Sequence, residues 1–518
     1  MLKKKANLYF FGLALLVIGL PVSEFLMSIS IMILALAWLI DGPKSRQFNM
    51  FYRNKLAWSS VILFVVPLVS LLWTQNMGAG LHDLRIKLPL LLVPFLVAPF
   101  SINKKQYYIL LGLLVGSTFV GSIILYVNYL IHLKGNISNI REASIFISHI
   151  RFSLIIDICI FILLYAAIQF RNVYSILCLA MSFWLIYFVF FLGSGNGFIG
   201  LVVIIVFGLI ILMLKKSNRK VGIAAIGLLS AFILYTIALS ITSYASHFIA
   251  KEDPYNNVKP KNKKGAGYYS KPRDFQLENG FYIYRNISNS ELEREWKKVS
   301  QDKYYELDAK GQTINGTIVR YLTSKALPKD SVGIHQLTEN DIRNIELGYY
   351  HFEQASWNNL KLRIDQFFYQ MMAFQYKGDP GNKPFLQRLF YWKGALSLIS
   401  ENFWFGVGAG DLQDEFNAFF ASELQSLNSD YWHHTHNQYL TYFVVAGVFA
   451  FFIFIGAVIY PFVLFIKRDW ILAMAQLVLL ISFISEDTLE TQPGVTMYVV
   501  FIGLGIAYFN SKKNGVST

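Results

Sequence analysis

Charge is scarce in this 518-residue chain: Asp, Glu, Lys and Arg make up only 15% of it, against about a quarter in soluble domains. Cysteine is almost missing. Cys159 and Cys178 both sit inside apolar blocks, so neither a disulfide framework nor a thiolate metal site is available. The chain also lacks the signatures of soluble enzymes, with no Walker loop, no Gly-x-Ser-x-Gly elbow and no His-Glu-x-x-His. No Asp-x-Asp occurs, which argues against a metal-held nucleotide-sugar donor. No internal repeat is evident, and paired repeats are the usual mark of a transporter for lipid-linked sugars, the main reading from another functional class.

What the chain has instead is hydrophobic length. Hydrophobic residues make up 55% of it, in blocks that approach or reach the roughly 20 residues needed to cross a bilayer. The blocks predict about twelve spans, at 7–20, 24–40, 56–73, 88–100, 107–132, 149–170, 173–193, 197–214, 221–246, 437–466, 470–486 and 494–510. The 88–100 block is short and carries Pro89, Pro94 and Pro99, so a kinked or re-entrant segment is expected there. The start resembles a signal peptide, with Lys3-Lys4-Lys5 before an apolar run. No small-residue cleavage site follows, so an uncleaved first helix is expected.

The net charge of +14 does not point to nucleic acid, because of where it lies. Residues 248–435 hold 23 basic and 23 acidic residues and are neutral. The excess sits in short clusters between spans: Lys3 to Lys5, Lys44 to Lys55, Lys104-Lys105, Arg171, Lys215 to Lys220, Lys467-Arg468 and Lys512-Lys513. These 18 basic residues face only Asp41 and Asp469, and all fall on one side if the N-terminus is cytoplasmic. The expected fold is therefore all-α: a polytopic membrane bundle of about twelve helices, both termini cytoplasmic, with a large, mostly helical outer loop. The expected organisation is an N-terminal bundle at 1–247, the loop at 248–435 and C-terminal helices at 436–518. Within the loop, 251–273 reads as an irregular linker. Helices are expected from Ser290, with Ser290 as N-cap and Glu293 three residues on, and from Thr338. The segment 357–400 keeps apolar residues at helical spacing and should lie over the bundle.

Three stretches can carry chemistry. His433-His434-Thr435-His436-Asn437 stands where the loop re-enters the membrane, and histidine there can take or give a proton near neutral pH. A plain polar cap on the next helix, or a metal site with Asp430, are the competing readings. Arg388 and Trp392 precede a glycine run, Gly406-Val407-Gly408-Ala409-Gly410-Asp411. An arginine fork suits phosphate, while a loop turn is the commoner reason for such glycines. Arg151 opens the sixth span, and Glu486, Asp487 and Glu490 close the eleventh. At that depth they form either a structural ion pair or a lining for a substrate cavity.

Arg-x-x-x-Trp, Gly-Val-Gly-x-Gly-Asp and His-Asn-x-x-Leu, in this order with twelve spans and a large late loop, resemble the O-antigen ligase family. Ser148 to Ser153 and Glu486 to Gln492 resemble its Bacteroidetes-type members. The resemblance implies a glycosyltransferase in a bacterial inner membrane with a periplasmic loop. It would take a glycan from undecaprenyl pyrophosphate to an acceptor hydroxyl, with inversion and without metal or cofactor. The acceptor would be lipid A core in ligases, another lipid-linked repeat in polymerases, or Ser/Thr in protein transferases. It further implies Arg388 and His436 as the catalytic pair, with Arg151, His434, Asn437, Trp392, Asp411, Glu486 and Glu490 as substrate contacts. Many members carry Ser-Arg at the start of a mid-chain span. Here the comparable Ser194-Gly195-Asn196 has no arginine, which leaves the phosphate site in question.

Overall fold

The computed structural model describes residues 2–133, 146–170, 172–214, 219–251, 267–271, 273–377, 381, 383–423 and 428–513. Most of the expected linker at 251–273, together with Arg171 and residues 215–218 of the inner basic clusters, lies outside the described residues. Eleven helices come first: α1 (Leu2–Val22), α2 (Glu24–Ile40), α3 (Lys44–Tyr52), α4 (Lys55–Ser70), α5 (Met77–Lys87), α6 (Pro89–Val97), α7 (Lys104–Asn128), α8 (His149–Gln169), α9 (Val173–Leu192), α10 (Gly195–Leu214) and α11 (Arg219–Phe248). Side-chain caps start several of them. Asn103 and Gln106 form a reciprocal capping box on α7, and Asn54 caps α4.

Among the described residues, six helices are long and apolar enough to cross a membrane, within α7, α8, α9 and α11 and in two later helices, Gln438–Ile466 and Gln492–Ser511. Five shorter apolar helices fall on the expected spans at 7–20, 24–40, 56–73, 197–214 and 470–486. The proline-rich 88–100 block yields only the nine-residue α6, with Pro89 at its first turn directly after α5. Three prolines in so short a run leave no room for a full span. The fold is thus an all-α membrane protein.

The loop begins with a two-stranded antiparallel hairpin, β1 (Leu277–Glu278) and β2 (Phe281–Tyr282). Seven helices follow: α12 (Asn289–Val299), α13 (Ile314–Ser324), α14 (Ser331–His335), α15 (Glu339–Glu346), α16 (Asn359–Lys377), α17 (Pro384–Glu401) and α18 (Leu412–Glu423). The helix expected at Ser290 starts one residue earlier, with Ser288 at the cap position and no side-chain cap bond, so Ser290 lies inside it. Thr338 does cap α15, paired reciprocally with Asp341. These elements enclose their own core of Trp296, Tyr304, Tyr321, Leu322 and neighbours, with Met372 of α16 reaching in. A buried four-residue network ties this core to the bundle. His247, at the end of α11, faces Asp365 of α16 at 3.1 Å, and Glu278 accepts two bonds from Arg320 at 2.9 and 2.6 Å. Arg320 offsets the Glu278 carboxylate there, and His247 gives Asp365 a buried partner, which is how buried charge is tolerated.

The chain closes with α19 (Gln438–Ile466), α20 (Trp470–Ser482) and α21 (Gln492–Lys513). α19 is broken at Gly447, which sits at φ 75°. The backbone groups freed by the break pair with the glycine run: Val407 N donates to Val444 O at 2.8 Å, Gly408 N to Val445 O at 2.9 Å, and Val448 N to Phe403 O at 3.0 Å. Gly406 and Gly408 both have positive φ, and a side chain on Gly447 would collide with the Trp404–Phe405 backbone. The glycines therefore allow a loop to lie against an interrupted membrane helix and to pair with backbone groups that the break frees.

Candidate active site

The histidine loop is fixed at both ends. Asn437 caps α19, its Oδ1 accepting from Tyr439 N at 3.0 Å and Leu440 N at 3.1 Å. Just before it, His436 takes the left-handed conformation at φ 45°. Histidine tolerates this better than most residues. The reversal sets the His436 ring 5.5 Å from the Tyr391 ring and 6.4 Å from that of His434. Tyr391 is itself anchored, donating from its hydroxyl to Tyr431 O at 2.8 Å.

The segment after α20 meets this loop from the other side. The Asp487 carboxylate is buried, with Oδ1 accepting from Thr435 Oγ1 at 3.0 Å and Thr441 Oγ1 at 2.8 Å. Its Oδ2 lies 3.0 Å from His434 Nδ1, an ion-pair contact off the line of a hydrogen bond. Burial alone would strip the proton from His434, but the Asp487 carboxylate outweighs it and holds the imidazole pKa above its ordinary value. Burial likewise works against the Asp487 anion, and His434 reverses that, holding the carboxyl well below the usual range. His436 has no such close partner. Burial, aided by the Arg388 charge, outweighs the more distant Asp487 and pulls it down to about 4. The two neighbouring imidazoles are thus pushed in opposite directions, His434 toward its protonated form and His436 toward its neutral form.

One residue before Asp487, Glu486 joins the two expected arginines. Arg388 Nη2 of α17 donates to Glu486 Oε1 at 2.7 Å, and Arg151 Nη1 of α8 stands 3.9 Å from Oε2. Arg151 Nη2 also donates to Asp487 O at 3.3 Å. The Nε atoms of both arginines are buried without a hydrogen-bond partner among the described residues. Burial raises the Glu486 pKa, against the pull of Arg388 and Arg151. Arg388 and Glu486 line a cavity of about 280 Å³ together with Ser194, Asn196, Arg363 and Gln370.

Arg363 was not legible in the sequence. It lies on α16, 25 residues before Arg388, and its Nε donates to Gly193 O at 3.0 Å. It thus stands over the Ser194–Asn196 segment that lacks an arginine of its own. The first turn of α10 opens on the same cavity, and a helix N-terminus favours anions. Asp487 was visible as one of three acids in the sequence, but only the fold distinguishes it as the partner of His434.

Other expected contacts are engaged elsewhere. Asp411 accepts from Gln75 N and Asn76 N, both at 2.7 Å, and so fixes the loop between α4 and α5 to the glycine run. Glu490 accepts from Gln438 Nε2 at 2.9 Å and pairs with Lys87 Nζ at 2.6 Å, which also pairs with Asp83. Asn437 Oδ1 is committed to the α19 cap. Trp392 lies one turn beyond Arg388, half-buried, with its indole N–H lacking a partner among the described residues. His436 does not line the 280 Å³ cavity; it approaches the arginine side through Tyr391.

No curated protein matches the chain. A family model described as "Wzy_C: O-Antigen ligase" matches residues 355–455, a span that runs from α16 through the histidine loop and includes Arg363, Arg388, Asp411 and His436. The matched segment supplies Arg363, Arg388 and the histidine loop of this all-α membrane bundle, and over those residues the chain is similar to the O-antigen ligase family.

Proposed function

We propose that the protein transfers a glycan from undecaprenyl pyrophosphate to an acceptor hydroxyl at the outer face of a bacterial inner membrane, with lipid A core as acceptor. The observation that carries this reading is the wall where Arg388 and Arg151 share Glu486 while each keeps an unpaired Nε. A pyrophosphate is the anion such a wall suits, and Arg363 and the first turn of α10 line the cavity that Arg388 and Glu486 open on. Twelve spans, with the loop outside, would set this wall at the level where a lipid-linked pyrophosphate lies.

In the step itself, the acceptor oxygen bonds to the anomeric carbon as the bond from that carbon to the pyrophosphate oxygen breaks, with inversion. The hydroxyl proton passes to neutral His436. The electron pair of the broken bond stays on the pyrophosphate, where the arginines offset it. His434, fixed by Asp487, stands beside His436 and orients the loop that carries it. Asn437, Asp411 and Glu490 act as positioning residues, holding the histidine loop and the α4–α5 connection in register. Trp392, one turn beyond Arg388 on α17, is assigned to the acceptor by this reading, with its indole N–H as the group to hold a hydroxyl. A pyrophosphate leaves readily, so alignment and charge are sufficient and no metal enters the scheme.

The test is deletion of the gene in its host, followed by electrophoresis of lipopolysaccharide and extraction of the lipid-linked pool. Loss of the long ladder with lipid A core retained, and long glycans accumulating on the carrier, is the expected result. It should be rescued by wild type and not by R388A. Single repeats accumulating instead would make the enzyme a polymerase. An unchanged ladder and pool would remove lipopolysaccharide from the proposal.

A further inference from the structure

A second cavity, of about 320 Å³, lies in the loop domain and shares no residue with the one at Arg388. One wall is an extended segment in which Tyr269 pairs with Ile287, its N–H donating to Ile287 O at 2.8 Å and its carbonyl accepting from Ile287 N at 2.9 Å. Tyr269 is 50% exposed. Tyr284 stands in the turn after β2, its carbonyl accepting from Lys271 N at 2.8 Å, and Asn289 opens α12. Gln312 lies just before α13, Asn315 lies in its first turn, and Tyr369 comes from α16.

Three tyrosines and three side-chain amides on one cleft narrow the ligand class. Aromatic faces pack against the C–H faces of pyranose rings, and amides both donate to and accept from hydroxyls. A cleft of about 300 Å³ with a few convergent polar groups is of ligand size. No carboxylate lines it among the described residues, so an acidic sugar would not be repelled. A free phosphate suits it poorly. Its arginine, Arg320, is held by Glu278 and sandwiched 3.8 Å from the rings of both Tyr350 and Tyr369, while the Lys271 ammonium lies over the Tyr284 ring at 5.0 Å.

α16 connects the two cavities. Arg363, Gln366 and Gln370 line the arginine cavity and Tyr369 lines the tyrosine cleft. Six residues of helix separate Arg363 from Tyr369, about 9 Å along the axis. We propose that the tyrosine cleft is a secondary glycan-binding site, which holds sugars of the transferred chain distant from the bond being cleaved. This rests on the glycan-transfer reading above. A donor held at both places gains from its second attachment being intramolecular, so long glycans should be favoured over single repeats.

The experiment uses the full-length protein in detergent. The probe is the oligosaccharide released by mild acid from the lipid-linked pool of a deletion strain, which carries the sugars without the pyrophosphate. Binding is read by saturation-transfer difference NMR, and transfer is read with long-chain and single-repeat donors. Tyr269→Ala and Gln312→Ala, together, should weaken oligosaccharide binding and long-chain transfer about tenfold or more and leave single-repeat transfer unchanged. Arg388→Ala should bind the oligosaccharide as wild type does. Binding that survives the cleft substitutions but is lost in Arg388→Ala would overturn the inference and leave the transfer reading intact. Equal loss of long- and short-chain transfer in the cleft variant would also overturn it, as would a cleft that binds peptide and not the oligosaccharide. Oligosaccharide binding that depends on the cleft, in a wild-type protein that transfers nothing, would support the cleft and sink the transfer reading.

Discussion

Asp487→Asn removes one charge at the centre of the site and little else. The asparagine carbonyl can keep the bonds now received from Thr435 and Thr441 at 3.0 and 2.8 Å, while the ion pair with His434 at 3.0 Å is lost. At an effective dielectric constant near 20, that pair is worth at most about 5 kcal/mol. The loss is smaller in practice, because an abandoned His434 sheds its proton, at about 1.4 kcal/mol for each pKa unit by which it was raised. The sign follows from the direction of the shift. His434 is raised in the folded protein, so its stabilisation is complete below its unfolded pKa of about 6.5 and fades as pH rises through the folded value. Asp487 is lowered, so its share is complete above about 4 and is lost only as pH falls through its folded value. The wild type should therefore exceed D487N by more at pH 5.5 than at pH 8.5, the gap narrowing as His434 loses its proton. The assay is thermal unfolding in detergent, followed by tryptophan emission at the two pH values and one scan rate. A gap that stays constant, or widens toward pH 8.5, would refute the assignment of His434 and Asp487 as an ion pair.

Three further outcomes are expected. His436→Asn keeps a residue that tolerates positive φ but removes the imidazole; transfer measured with lipid-linked donor should fall by about 10²–10⁴ while expression and unfolding stay as wild type. Arg363→Ala should lower transfer by about 10²-fold, with partial recovery in Arg363→Lys, and a full rate in Arg363→Ala would remove α16 from the phosphate site. Lys87→Met strands the Asp83 and Glu490 carboxylates it now pairs with, and should destabilise by about 3–5 kcal/mol in the same unfolding assay, with Lys87→Arg milder.

Much of the bundle was legible because a membrane imposes a local rule. Each spanning helix must satisfy its own backbone, so a long apolar block is read as a helix without knowing its neighbours. That is why α8, α9 and α19 begin and end within a few residues of the blocks seen in the sequence. Capping is local too, and Thr338 with Asp341 was readable, whereas the cap expected at Ser290 falls two residues earlier, at Ser288, where no side-chain cap bond forms. The proline block at 88–100 was readable as irregular, and its reduction to a nine-residue helix follows from proline alone.

The sequence by itself determined the fold class and the residue types of the site: arginine for an anion, histidine for a proton, and their position at the ends of apolar blocks. Tertiary structure alone decided which of them meet. Glu486 and Asp487 are adjacent in the chain, yet one goes to Arg388 and Arg151 and the other to His434, because successive residues of a turn point in different directions. Asp411 and Glu490 carry the same charge as Glu486 but spend it on the α4–α5 loop and on Lys87. Arg363 reaches the segment without an arginine only because α16 lies across the start of α10. Long-range pairing depends on how helices pack, and no local pattern in the chain encodes it.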